Sequence, residues 1–457
     1  MRTPTRWIAV VLIAGVGCAQ VSKEQGHDYL ADQLRRRASA DTHWQQGPPE
    51  PDELKRLIDA KLAGSLKLQS AVELALANNP TLCALYEDIG IAQAEMVQAT
   101  LLTNPTLTGS IGFPINKRGT LESELGIALN ILELLTLPAR KRVAEKRFAA
   151  EVRHVTHEAL RVVFEVRHHY IDIQAMQQLL ELRLDLVEAA EAAADLAERQ
   201  YTAGNITDLT RANEQAAYQQ ARVDLGRDQL TLIEKKESLT RLLGLTGDHV
   251  AWRIEEALGD LPSSEPEVEP LEATVAERRL DLQSARLQVE LAGNALTLAK
   301  TTRFFGRIDV GAHSHQDPNG PVLLGPTLSL DLPIFDQRQA LIARLEAQHR
   351  QATRRLAGLL VDAQSEVRVA RARLLALRAL AKHYRDELLP LRSRIVDETL
   401  LQYNAMTVAL YQLVSAKQQD IEARRTYLEL LRDYWTAQAE LERALGGALP
   451  QAEQDHG

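Results

Sequence analysis

The chain has 457 residues, only 4% of them aromatic, and a formal net charge of -9 from 53 Lys and Arg against 62 Asp and Glu. The length allows two or three ordinary domains, while the dominance of Ala, Leu, Glu, Gln and Arg is the composition of long helices. Interspersed charges with a negative balance argue against nucleic acid as a partner, since phosphate binding needs concentrated positive charge.

Arg2 and Arg6 precede an apolar stretch from Trp7 to Val16, too short to cross a bilayer as a helix and suited to a cleaved export signal over residues 1–17. Gly15-Val16-Gly17-Cys18 resembles a bacterial lipobox, with Gly15 where leucine is usual. That resemblance implies a covalent lipid on Cys18, which becomes the first residue; no other cofactor is expected. By analogy with bacterial lipoproteins, Ala19 in place of Asp implies onward transport to the outer membrane. Cys83 is then left alone and reads as a small buried hydrophobe. Residues 18–65 read as a lipidated N-terminal arm. From Ser22 to Ala63 this arm is polar, with prolines at 48, 49 and 51, and is expected to be extended or weakly ordered. Every later apolar stretch is cut by charge before about 18 residues, so any membrane crossing falls to strands.

The remainder is read as two copies of one unit, over 66–245 and 271–447. Leu82 is echoed by Leu282, Ala92 by Ala292, Ile127-Leu129-Ile131 by Leu328-Leu330-Leu332, and Tyr201 by Tyr403. Such duplication implies that neither copy buries its surfaces alone. The stretch 246–270, with Pro262, Pro266 and Pro270 among acidic residues, reads as a surface linker, and 448–457 as a loose tail.

In each copy the apolar period changes in the same order. Residues 68–102 are helical, with Asn78-Asn79-Pro80 marking a turn and a restart. Alternation then predicts strands at about 105–113 and 124–132, separated by Pro114, Asn116 and Gly119. The second copy predicts strands at about 307–315 and 324–332 around Asp317-Pro318-Asn319-Gly320. Four strands cannot close a membrane barrel, which needs at least about eight; three chains would supply twelve. A small soluble sheet packed on helices is the other reading of these hairpins.

A proline-free run from Pro138 to Tyr201 predicts a helix of about 95 Å. Its counterpart runs from Gln337 to Tyr403, with a bend expected at Pro390. Leu182, Leu186, Ala189, Ala193 and Leu196, like Leu374, Leu377, Ala381, Tyr384 and Leu388, follow three-four spacing, broadened by alanine as in helices packed on two sides. At Tyr201-Thr202-Ala203-Gly204-Asn205-Ile206-Thr207-Asp208, Gly204 can end one helix and Thr207 or Asp208 can cap the next, giving a helical hairpin at the tip far from the strands. The fold class is therefore mainly α with a small β part: long antiparallel helical hairpins plus four strands.

Catalytic signatures are missing from the sequence: no His-Glu-x-x-His, no Gly-x-Ser-x-Gly and no phosphate-binding Gly-x-x-x-x-Gly-Lys-Ser/Thr. An enzyme is not expected. His154 with His157, and His313 with His315, have spacings that could bind metal, but no Cys or convergent carboxylate accompanies them in sequence, and no metal is assigned.

From Leu66 to Gly447 the chain resembles the TolC-type outer-membrane efflux family. The resemblance is carried by Ala71-Val72-Glu73-Leu74-Ala75-Leu76-Ala77-Asn78-Asn79-Pro80, Leu102-Thr103-Asn104-Pro105-Thr106-Leu107, Tyr201-Thr202-Ala203-Gly204 and Leu328-Ser329-Leu330-Asp331-Leu332-Pro333-Ile334-Phe335, in that order. It implies a homotrimer, a twelve-stranded barrel in outer-membrane lipid, a helical barrel through the periplasm, and passive conduction. The implied partners are a periplasmic adaptor and an inner-membrane transporter, by analogy of the resistance-nodulation-division type. It further implies adaptor contact at Ala203, Gly204, Asn205, Ile206, Thr207 and Asp208, and at Ala405, Met406 and Thr407. Met406 departs from the glycine common there, and Tyr411 from an acidic residue. The alternative is a lipid-anchored periplasmic coiled-coil scaffold or adaptor without a pore; duplication of the strand hairpin speaks against it.

Overall fold

The computed structural model describes residues 26–42, 50–113, 115, 122–262, 272–316 and 320–448. The export signal, Cys18, the turn residues Pro114, Asn116, Gly119 and Asp317 to Asn319, and the tail from 449 lie outside the described residues.

The strands β1 (Thr106–Gly112), β2 (Glu122–Asn130), β3 (Ile308–Gln316) and β4 (Val322–Leu330) form one antiparallel sheet in that order. The central pair joins the two halves of the chain, with Ile127 opposite Ala312 and Leu129 opposite Val310. β1 and β4 are the sheet's outer edges. Both second strands stop two residues earlier than alternation predicts. At the end of β2 the Asn130 side chain accepts from Glu133 N at 3.1 Å, so Ile131 and Leu132 enter a helix instead.

That helix, α5 (Ile131–Thr202), follows α1 (His27–Ala38), α2 (Pro51–Leu62), α3 (Leu68–Asn78) and α4 (Pro80–Thr100) in chain order. Its 72 residues span about 108 Å, longer than expected because Pro138 lies inside it rather than at its start. α6 (Asp208–Leu242) returns about half that length. In the second half, α7 (Glu272–Arg278) and α8 (Leu280–Thr301) precede the hairpin; α9 (Gln339–His383) and α10 (Leu389–Asn404) descend from it, and α11 (Leu410–Leu445) returns. Between α9 and α10 one wide π turn spans Tyr384–Leu388. It widens the backbone where the Pro390 ring would meet the carbonyl one turn earlier, so the proline is absorbed at the second position of α10.

Near the sheet the helices lie side by side in the order α4, α5, α8, α9, and toward the far tip in the order α6, α5, α11, α10. The protomer is thus a long plank. One lateral edge belongs to the first half (β1, α4, α6) and the other to the second (β4, α9, α10).

The described part of the segment before residue 66, residues 26–42 and 50–65, is not an extended arm. α1 buries Leu30 and Leu34 completely against the α4–α5 core, and Arg167 of α5 donates to Ala38 O at 2.8 Å and pairs with Glu442 at 2.9 Å. Arg37 donates to Gly446 O at 2.7 Å, and Ala448 N donates to Arg37 O at 2.8 Å, so this segment ties the chain's two ends together. The apolar positions of an amphipathic helix outweigh the polar composition that suggested disorder. The described part of the expected linker is also packed: Trp252, Ile254, Leu258 and Leu261 are buried, and Leu66 N donates to Arg253 O at 2.7 Å. Two apolar cores result, one around α1, α3, α4 and α5, the other around α7, α9 and α11.

Candidate channel wall and helical tips

Because side chains alternate along a strand and directly opposed residues share a face, the register sorts the sheet into two surfaces. One face carries Leu107, Ile111, Leu125, Ile127, Leu129, Val310, Leu324, Leu328 and Leu330; most are exposed in the single chain. The other carries Thr106, Thr108, Ser110, Glu124, Asp309, His313, His315, Thr327 and Ser329, with Leu323 as an apolar exception. Ser110 Oγ lies 3.4 Å from Glu124 Oε2, and His313 Nδ1 3.0 Å from Thr327 Oγ1. Nine-residue strands tilted about 40° are about 23 Å tall, the height of an outer-membrane apolar band. Exposed Phe304, Phe305 and Phe335 sit at the helix end of the sheet and Phe113 at its turn end, where aromatic girdles belong. No described helix is long and apolar enough to cross a membrane.

The far tips are two tight helical turns. In the first, Gly204 adopts φ 75°, Asn205 N donates back to Gln200 O at 2.8 Å, and Thr207 Oγ1 accepts from Thr210 N at 3.2 Å. Thr207, rather than Asp208, is the cap; Asp208 instead pairs with Arg211 at 2.6 Å. The Arg211 guanidinium also lies 4.1 Å from the Tyr201 ring centre. The second turn repeats the pattern, with Thr407 N donating to Gln402 O at 3.0 Å, but the left-handed position at φ 60° is Met406. Its side chain is 93% exposed.

Of the residues singled out by sequence, Ile206 and Met406 meet in one cleft of about 490 Å³ between the two tips. Ala203, Gly204, Asn205, Thr207, Asp208, Ala405 and Thr407 shape the turns without lining it. Gln200, Tyr403, Val408 and Tyr411 line it too. Tyr403 and Tyr411 stand out in the sequence as the helix-end echo and as a departure beside the tip, whereas Gln200 and Val408 do not; that all four share one cleft is hidden because it joins turns about 200 residues apart.

A second missed feature lies midway along the helices. Asn78 Nδ2 donates to the carbonyls of Leu243 (2.9 Å) and Gly244 (2.8 Å), and Asn79 Nδ2 to that of Leu242 (2.8 Å). The Asn-Asn-Pro turn thus satisfies the last carbonyls of α6 as well as restarting its own helix, where Asn79 Oδ1 accepts from Leu82 N at 3.0 Å. Cys83 is half-buried, its thiol pushed up by burial. His157 is held below the usual histidine range, chiefly by burial, with Asp281 opposing. Among the described residues no three metal-ligating side chains converge.

Residues 71–245 match the model of the outer membrane efflux protein family. Across 397 residues the chain is 22% identical to the cobalt-zinc-cadmium resistance protein CzcC of Cupriavidus metallidurans, covering 84% of this chain and 91% of CzcC. Solved structures share the fold. The CmeC outer membrane channel of Campylobacter jejuni superposes with a TM-score of 0.72 at 16% identity, covering 84% of this chain and 87% of its own. The outer membrane protein VceC of Vibrio cholerae superposes with a TM-score of 0.70 at 18% identity, covering 88% and 100%. The match of residues 71–245 to the outer membrane efflux protein family, the relative aligned over most of its length and the shared fold agree with the two-faced sheet and paired tips: this chain is similar to outer membrane efflux proteins and has the fold of their solved channels.

Proposed function

We propose that the protein is the outer-membrane exit duct of a tripartite efflux system, working as a homotrimer anchored by a lipid on Cys18. The observation that carries this reading is the sheet: one face apolar, one polar, and two open edges. Open edges are not tolerated in hydrocarbon, so β1 of one protomer has to meet β4 of the next. The same two-edged plan continues below. Leu209, Val223 and Leu230 fall on a seven-residue period along the outer side of α6, and Val369, Leu380 and Leu391 on an eleven-residue period along α9 and α10. Unlike edges that meet head to tail close into a ring. Twelve strands about 4.8 Å apart and tilted about 40° enclose a barrel about 24 Å across, lined by the polar face.

The tips lie on the order of 100 Å from the sheet, where a periplasmic adaptor would dock and couple the duct to an inner-membrane transporter, here assigned to the resistance-nodulation-division type. The cleft holding Ile206 and Met406 is the contact we assign to the adaptor. The chain supplies a path and a gate, and the transporter supplies the energy. Divalent metal cations are the cargo class suggested by the relative named for cobalt, zinc and cadmium resistance, and the histidine-bearing polar wall suits them. Native mass spectrometry of protein extracted from outer membranes in mild detergent tests the assembly. A trimer with acyl mass on Cys18 is expected; a monomer or dimer without lipid would sink the duct and revive a periplasmic scaffold.

A further inference from the structure

Just below the sheet the helical layer holds an open cavity that serves neither barrel closure nor the tips. Its volume of about 360 Å³ is in the range of small-molecule sites, and α4, α5, α8 and α9 all contribute to its wall. Val143, Leu298, Leu341 and Leu345 make it apolar, while Arg140 of α5 and Arg338 at the start of α9 line it as cations. The two other charges in the wall, Arg147 and Glu95, pair with each other at 3.0 Å. Arg140 lies 3.7 Å from Glu133, which is outside the cavity, and Arg338 donates to a neutral hydroxyl, Thr302 Oγ1, at 2.7 Å. Arg338 also stands at φ 59°, where glycine would sit without strain, and outliers of this kind cluster at ligand sites.

The face of α5 used by the cavity decides which side of the layer it opens on. At about 100° per residue, Arg140, Val143, Ala144 and Arg147 fall within one arc of about 100°. α1 and its capping Gly26 meet α5 at Val152, 3.2 Å from where a Cβ on Gly26 would stand, and at Arg153, 5.2 Å from the Tyr29 ring centre. Those two positions straddle the opposite side of the helix. The segment that follows the proposed lipid anchor and ties the chain's ends together belongs outside a closed wall, so the cavity opens inward. It lies about 15–25 Å below the end of β2, centred on α5 and α8 and away from the lateral edges where the next protomer packs.

We infer that this cavity is a binding station for a small organic anion, a carboxylate or sulfonate carried on an apolar body of one or two fused rings. The body displaces water from the leucine and valine wall, and the acid head pairs with the guanidinium of Arg338, with Arg140 on the same wall adding positive charge. An apolar surround strengthens that pairing relative to open water. Organic cations meet two arginines there, and a metal ion meets one carboxylate, Glu95, already held by Arg147. The station thus adds a second solute class to the path. It rests on the duct reading for the side the cavity opens to, and not for binding itself.

The test is equilibrium dialysis of the full-length protein in lipid nanodiscs against 2-naphthalenesulfonate, with empty nanodiscs as the blank and 2-naphthylmethylammonium as the cationic control. The expected result is about one saturable equivalent of the sulfonate per protomer and none of the ammonium. Arg338→Gly should weaken binding about tenfold, and Arg338→Lys should restore much of it, since a charge-assisted contact is lost and then regained. Glycine suits φ 59°, so the first variant is expected to fold as well as the wild type. Ala295→Phe fills the cavity with both arginines kept and should abolish uptake. Unchanged uptake in Arg338→Gly and Ala295→Phe, or equal uptake of the ammonium, would overturn the proposal. Ion current through the protein in a planar bilayer separates the site from the duct: the sulfonate should block the wild type and spare Arg338→Gly. One Arg338-dependent equivalent in a protein that passes no current keeps the site and removes the duct.

Discussion

Replacing Met406 by glycine is expected to make the second tip more stable. Met406 sits at φ 60°, where a side chain costs about 1–2 kcal/mol relative to glycine. Glycine returns about 0.5–1 kcal/mol of that through the greater freedom of its unfolded chain. The side chain is 93% exposed, so little packing is lost, and the net gain is about 0.5–1 kcal/mol. Amide exchange across the turn reads this directly: opening of the tip should slow about two- to fivefold in the solubilised protein. Gly204, at φ 75° with no atom within 4 Å of where a Cβ would stand, gives the mirror experiment; Gly204→Ala should speed exchange at the first tip by a similar factor. Unchanged or faster exchange in Met406→Gly would refute the backbone argument. Efflux separates the second role of this residue. If Met406 is a knob for the adaptor, the variant loses transport while its tip becomes tighter, and wild-type efflux would take Met406 out of the contact.

Sidedness of the sheet is tested by adjacent residues: Leu328→Arg places a charge on the apolar face and should cost up to about 2–4 kcal/mol and reduce trimer yield, whereas Thr327→Arg should leave assembly intact. Equal yields from the two would undo the assignment of faces. Gly244→Ala should be severe, at least about 3 kcal/mol in thermal unfolding, because at φ 67° its Cβ would lie 2.2 Å from the Asn78 carbonyl oxygen; normal melting would contradict the clamp between α3 and α6. Burial holds His27, His157 and His169 below the ordinary histidine value of 6.5. The unfolded chain therefore takes up protons first, so stability is full above pH 6.5 and declines as pH falls below it. Melting at pH 7.5 and 5.5 should show that loss, and His27→Gln should lessen it; a pH-independent melting point would refute the assignment.

Much of the molecule is legible in the amino-acid order because the governing signals are local. A period of two marks four strands, long three-four stripes mark the helices, and Tyr201-Thr202-Ala203-Gly204 marks a turn whose left-handed residue must be glycine or strained. Local patterns also erred where tertiary contacts outweigh composition. The described parts of the polar stretch before residue 66 are docked helices because Leu30 and Leu34 find a core, and the described residues 251–262 are drawn inward by Trp252 and Ile254. Pro390 was readable as a disturbance, but only the helix around it shows a π turn absorbing it. Register and the pairing of distant segments had no local signature at all. Glu124 lies opposite His315 and Ile206 shares a cleft with Met406 only because the chain's two halves pack edge to edge, and Asn78 meets the end of α6 only because α6 folds back along α5 within the first half. The sequence by itself determined the periodicities, the turns and the resemblance to outer membrane efflux proteins. The tertiary structure decided which residues 160 to 200 positions apart share a face, since sheet pairing and helix packing are set by the summed burial of whole surfaces and not by any short motif.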